Sequence, residues 1–236
     1  MSTTQPSTAL FDTSQYPYRR RPAPSFLQAP FAGATYRELG FVLTAFPIAT
    51  AAFVLAITGL SVGAGLLVTV VGLPVLGLLL ASARGFGAME RLRARTLLDM
   101  DVPAPAPVRP SRPGFWGAVT ARLADGTGWR AVIYQLVMFP YAVFAFVTAT
   151  VVLSVGWAAA LYPAYHWAIA RWTPWPGLQL FDFSNGSGEH RYYLSSPWQI
   201  AGFSAFGLLL VFLSPLLIRA LTSVHRLAVR VLLGAL

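Results

Sequence analysis

The chain of 236 residues contains no cysteine. That excludes a disulfide framework, a thiolate metal site and a cysteine nucleophile. It also contains no lysine: all 17 basic residues are arginine, a bias attributed to a GC-rich genome rather than to chemistry. Charge of either sign is scarce, at 11% of residues, with only 8 acidic side chains. The three histidines, His166, His190 and His225, are scattered, lack the His-Glu-x-x-His spacing of a membrane zinc protease and are read as interfacial polar groups. No metal site, cofactor or catalytic constellation is expected. No carboxylate is read as lying deep in an apolar run, Glu38 standing only at the entrance of the first, so coupled transport is not expected either.

What is abundant is apolar. Hydrophobic residues make up 56% of the chain and its mean hydropathy is +0.61, which points to an integral membrane protein. Charge-free runs extend from Leu39 to Ala83, from Ala131 to Ala170 and from Tyr192 to Ile218. At about 1.5 Å per residue the first is more than twice the roughly 30 Å hydrocarbon thickness, so it must fold back. The expected bend is at Ser61-Val62-Gly63-Ala64-Gly65, giving spans at about 39–60 and 64–83.

An internal repeat organises the rest. Gly33 to Arg37 resembles Gly126 to Arg130, Phe46-Pro47 matches Phe139-Pro140, and Leu60-Ser61-Val62-Gly63 is identical to Leu153-Ser154-Val155-Gly156, each pair 93 residues apart. Farther on, Arg84, Arg91 and Arg95 align with Arg219, Arg226 and Arg230, and Gly72 with Gly207, each pair 135 apart. The second copy therefore holds 42 extra residues between Gly156 and about Gly207.

The fold expected is all-α and membrane-integral: four transmembrane helices as two duplicated hairpins, the second with a small extracytoplasmic insert. The segments are a disordered cytoplasmic tail at 1–35, hairpin one with its exit helix at 36–98, and a Pro-rich linker with an amphipathic segment at 99–125. Hairpin two, at 126–236, carries the external loop at about 157–200. Four spans with both termini inside put 15 of the 17 arginines in the cytoplasm, as expected at a plasma membrane. A separate span at 157–171 would export the C-terminal arginines and is too short.

Two regions are candidates for function. The octet Arg-Leu-x-x-Arg-x-Leu-Leu follows each hairpin, placing Arg91 and Arg95, then Arg226 and Arg230, beside a leucine stripe. It is either an interfacial anchor for anionic head groups or an output helix. The insert, residues 172–198, reads WTPWPGLQLFDFSNGSGEHRYYLSSPW. Aromatic runs around a Gly-rich turn suggest a β-hairpin on the outer face, where Trp172, Trp175, Asp182, Glu189, His190, Arg191, Tyr192 and Tyr193 are candidates for binding a signal or partner. An aromatic interfacial belt is the plainer reading of any one of them.

Particular motifs also resemble a known family. Ser25 to Phe31, Thr35-Tyr36-Arg37-Glu38, Gly72-Leu73-Pro74, Pro113-Gly114-Phe115-Trp116, Trp129-Arg130 and Leu227 to Gly234 are similar to the sensor domain at the N-terminus of many actinobacterial sensor histidine kinases. The resemblance covers about residues 23–234. It implies signal transduction in a two-component system, with a histidine kinase or another membrane or cytoplasmic protein as partner, and a homodimer. In such kinases the terminal octet leads into the kinase, whereas this sequence stops two residues after Gly234, as expected of a free-standing sensor module or a fragment. The alternative is a structural subunit that scaffolds a membrane complex. The net charge of +9 follows from sided arginines and does not imply nucleic-acid binding.

Overall fold

The computed structural model describes residues 33–110, 112–172, 178–185, 188–194 and 196–234. Six helices and one strand pair follow in order: α1 (Gly33–Gly65), α2 (Gly72–Leu98), α3 (Phe115–Leu123), α4 (Gly126–Ala160), α5 (Tyr162–Trp172), β1 (Leu178–Asn185), β2 (Gly188–Leu194) and α6 (Pro197–Ala228), which runs on into a π turn at Val229–Leu233. Four helices, α1, α2, α4 and α6, are long and apolar enough to cross a membrane by length and composition. At 11 residues α5 is not. The expected tail at 1–35 lies outside the described residues as far as residue 32, and residues 33–35 already belong to α1.

Local chemistry sets the helix ends. The Asp125 side chain accepts from the amides of Thr127 and Gly128 and starts α4, while Ser196 and Gln199 form a capping box ahead of α6, with Pro197 in its first turn. Asp99 closes α2 in the left-handed region at φ 51°, a conformation that Asp tolerates better than most side chains.

The first bend differs from expectation. Helix α1 continues through Ser61 to Gly65, and the chain turns at Leu66–Val71, through a short 3-10 segment. Gly63 serves close packing rather than turning: a Cβ there would come within 2.5 Å of the Leu76 side chain. The residue whose lack of a side chain the turn requires is Gly72, where a Cβ would meet the Leu66 carbonyl at 2.6 Å.

Helix α2 returns along α1, and α6 along α4. Between α1 and α4 the contact is built from alanines and stacked rings. Val42 packs with Ala145 and Ala149, Phe46 stacks on Phe146 at 4.7 Å and Phe53 on Phe139 at 4.2 Å. Small residues let helix backbones approach where lipid gives no hydrophobic drive between helices. The outward residues, among them Val54, Leu55, Phe144, Val151 and Leu209, are large, apolar and exposed, as a lipid-facing surface requires. Helix α3 packs on α2, with Val119 against Gly77, and the linker after α2 buries Met100 and Val102 in the main core.

Several contacts recur at the spacings found in the sequence. Arg37 donates to the Thr96 carbonyl and Arg130 to that of Val231, with donors 93 apart and acceptors 135 apart. Gly63 abuts Leu76 as Gly156 abuts Val211, and Gly72 abuts Leu66 as Gly207 abuts Ala159. The two phenylalanine stacks exchange partners under the same shift, because 46 and 139, and 53 and 146, are each 93 apart.

Candidate functional site

Two constellations stand out, one at the base of the strand pair and one between the helical hairpins. Strands β1 and β2 pair antiparallel, with Leu178 opposite Leu194, Gln179 opposite Tyr193, Phe181 opposite Tyr192, Asp182 opposite Arg191, Phe183 opposite His190 and Ser184 opposite Glu189; the register shifts between Gln179 and Phe181. Six of the sequence candidates thus lie on one short ladder. Trp172 ends α5 with 82% of its surface exposed. Trp175 lies outside the described residues.

Tyr162 ties this ladder to the helices, a role that sequence reasoning missed. Its side chain is fully buried. The hydroxyl accepts from the Leu178 amide at 3.0 Å and donates to the Leu194 carbonyl at 3.2 Å, the two residues that close the ladder. Its ring meets Phe203 of α6 edge-on at 5.5 Å. One turn along α5, Tyr165 donates to the Ala158 carbonyl at 2.7 Å, and burial, then the neighbouring Tyr162 hydroxyl, raise its phenol above the ordinary range. A tyrosine beside a tryptophan-rich segment reads in sequence as part of an aromatic belt, so nothing there set Tyr162 apart.

The arginines of the two octets divide. Arg226 pairs with Glu38 at 3.0 Å, Arg219 stands 4.0 Å from the same carboxylate, and Arg91 donates to the Leu233 carbonyl at 3.5 Å. Arg95 pairs with Asp101, and Arg230 is exposed. In a matching way Arg84 of α2 pairs with Asp125 at the start of α4 at 2.5 Å. Arginines 84 and 219 thus each reach an acid near the start of the other hairpin's first helix, and Arg226 and Arg91 cross between hairpins instead of spreading freely at an interface.

Between the hairpins lies a cavity of about 20 Å³ lined by Ala45, Ala49, Glu90, Tyr134, Gln135 and His225, with further apolar residues. Glu90 is 7% exposed and His225 2%. Arg93 pairs with Glu90 at 2.5 Å, donates to the Phe41 carbonyl and the Thr44 hydroxyl at 2.8 Å, and lies over the Phe41 ring. Phe41 in turn meets His225 edge-on at 5.2 Å. Glu90 and His225 are 135 apart, and Phe41 and Tyr134 are 93 apart. His225 is therefore a buried core group and not the interfacial one expected, and Glu90 puts a carboxylate inside a helix long enough to span. Among the described residues no group of His, Cys, Asp or Glu could hold a metal ion.

The family described as Putative sensor matches residues 41–233, and the chain belongs to that family. No curated protein and no solved structure matches the chain.

Proposed function

We propose that this member of a sensor family is a duplicated helical hairpin whose external strand pair perceives an envelope or membrane signal and passes it along α6 to a histidine kinase or other partner. Both termini lie in the cytoplasm of a plasma-membrane protein on this reading, and the loop between α4 and α6 faces outward. The contacts repeated at spacings of 93 and 135 support the duplication, and the sidedness of the arginines supports the orientation.

The observation that carries the relay is Tyr162. A ligand that shifts the base of the strand pair must disturb the two hydrogen bonds of its hydroxyl, and the ring that bears this hydroxyl packs on Phe203. Helix α6 then runs from that contact to His225 and Arg226, where it meets α1. A continuous helix joining two packed sites is a physical route for coupling.

The test uses full-length protein in native membranes. Tyr162→Phe keeps the ring and removes both hydrogen bonds; it is expected to leave the protein in the membrane and to abolish the transcriptional response to envelope stress. Affinity purification in mild detergent should retain a kinase or regulator on the full chain and lose it on truncation at Arg219. An unchanged response in Tyr162→Phe, with the same envelope proteins bound to both forms, would establish the scaffold reading in its place.

A further inference from the structure

Among the polar atoms buried without a hydrogen-bond partner between the hairpins are Glu90 Oε2 and His225 Nδ1. Both side chains line the same cavity of about 20 Å³, a volume that holds one water molecule and little more. Buried polar atoms are rarely left unpaired, because each gives up its hydrogen bonds to water with nothing in return. With the imidazole proton on Nε2, His225 Nδ1 is an acceptor like the carboxylate oxygen, so in that tautomer neither satisfies the other. A single water molecule satisfies both by donating one O–H to each, and Tyr134 and Gln135 on the same wall offer it further partners.

We infer that Glu90 and His225 bind one water molecule between the hairpins and that this unit is a proton-binding site, taking up a single proton that the two side chains share. The ligand is the proton itself, delivered through the bound water. The surrounding charges are accounted for on every helix. Arg93 of α2 holds the other oxygen of Glu90, Tyr134 of α4 lines the cavity, Tyr141 of α4 packs at 5.2 Å on His225 while donating to the Leu221 carbonyl, and α1 contributes only apolar residues to the wall. On α6 the next charge, Arg226, is taken by Glu38 of α1. Glu90 is thereby joined through Arg93 to α1 and through the water to α6, so the proton sits where α1, α2, α4 and α6 meet. This gives the seam an input of its own, independent of anything the external strands recognise.

Proton sharing has a signature that two separate side chains lack, because coupled groups titrate with midpoints that belong to the pair. The full-length protein is reconstituted in lipid nanodiscs with ¹⁵N-histidine and titrated with acid, following the infrared carboxylic-acid band and the imidazole nitrogen shifts. Glu90→Gln and His225→Gln assign the two signals. In the unsubstituted protein the Glu90 band and the His225 shift are expected to change with a common midpoint. His225→Gln should displace the midpoint of the Glu90 band, and Glu90→Gln that of the His225 shift. Independent midpoints, each unmoved by the other substitution, would overturn the inference. The common midpoint is read on the unsubstituted protein, so that result stands even if a variant folds poorly.

Discussion

The two helical hairpins differ most where they turn and least where they pack. Helices α1 and α2 are joined directly by residues 66–71, whereas α4 and α6 are separated by α5 and the strand pair across residues 161–196. Yet each return helix presses a glycine closely on the backbone before it, Gly72 of α2 on Leu66 in the turn and Gly207 of α6 on Ala159 and Ala160 at the end of α4. Side chains added at a helical turn leave the packed ladder below unchanged, because the constraint lies in the close approach of two backbones and not in the loop that joins them. The difference teaches that a close glycine approach is kept whether the connection is the short turn at 66–71 or the longer one at 161–196.

The comparison can be broken most sharply at those glycines. A Cβ at Gly207 would stand 2.2 Å from the Ala160 amide nitrogen, and one at Gly72 2.6 Å from the Leu66 carbonyl. Gly207→Ala and Gly72→Ala are each expected to cost about 1–3 kcal/mol, read as a lower unfolding temperature in detergent, with larger residues abolishing the folded protein. Sensitivity at only one of the two would separate the hairpins.

Next in size are the acids that receive the arginines. Glu38→Ala strips the carboxylate shared by Arg226 and Arg219, and Asp125→Ala removes both the Arg84 partner and the α4 cap. Each should destabilise by about 1–3 kcal/mol, with Glu38→Ala loosening α6 from α1 in hydrogen exchange and Asp125→Ala fraying the start of α4.

The smallest effect belongs to the half-buried Arg37 and Arg130. Arg37→Ala and Arg130→Ala should each cost at most about 1 kcal/mol, Arg37→Ala the more by what its Asp99 partner adds. Equal shifts in unfolding temperature would show that this partner adds nothing.

The sequence made the helical architecture legible because charge marks its limits. An arginine or glutamate on either side of an apolar run shows where it ends, and those runs placed the membrane-length helices. The first bend was harder to place: Ser61 to Gly65 has the small residues of a turn, but those same residues permit the approach of α2, and only the partner across the gap decides between the two uses. Glu90 escaped notice for a related reason. It stands next to Arg91 in an arginine-rich stretch, which reads as a solvated face until α4 and α6 are seen to cover it. Tyr162 is ordinary in sequence because its role depends on Leu178 and Leu194, which come to it only when the strands pair.

The π turn at Val229–Leu233 bears on how α6 could move anything beyond it. A π turn holds one residue more than an α turn, and each residue of an α-helix advances the side chains by about 100°. Tightening this turn to α geometry would swing Gly234 and whatever is attached to it around the helix axis while moving it along that axis by only about 1.5 Å. The end of α6 thus trades a small axial shift for a large rotation, which is the geometry the proposed relay would use.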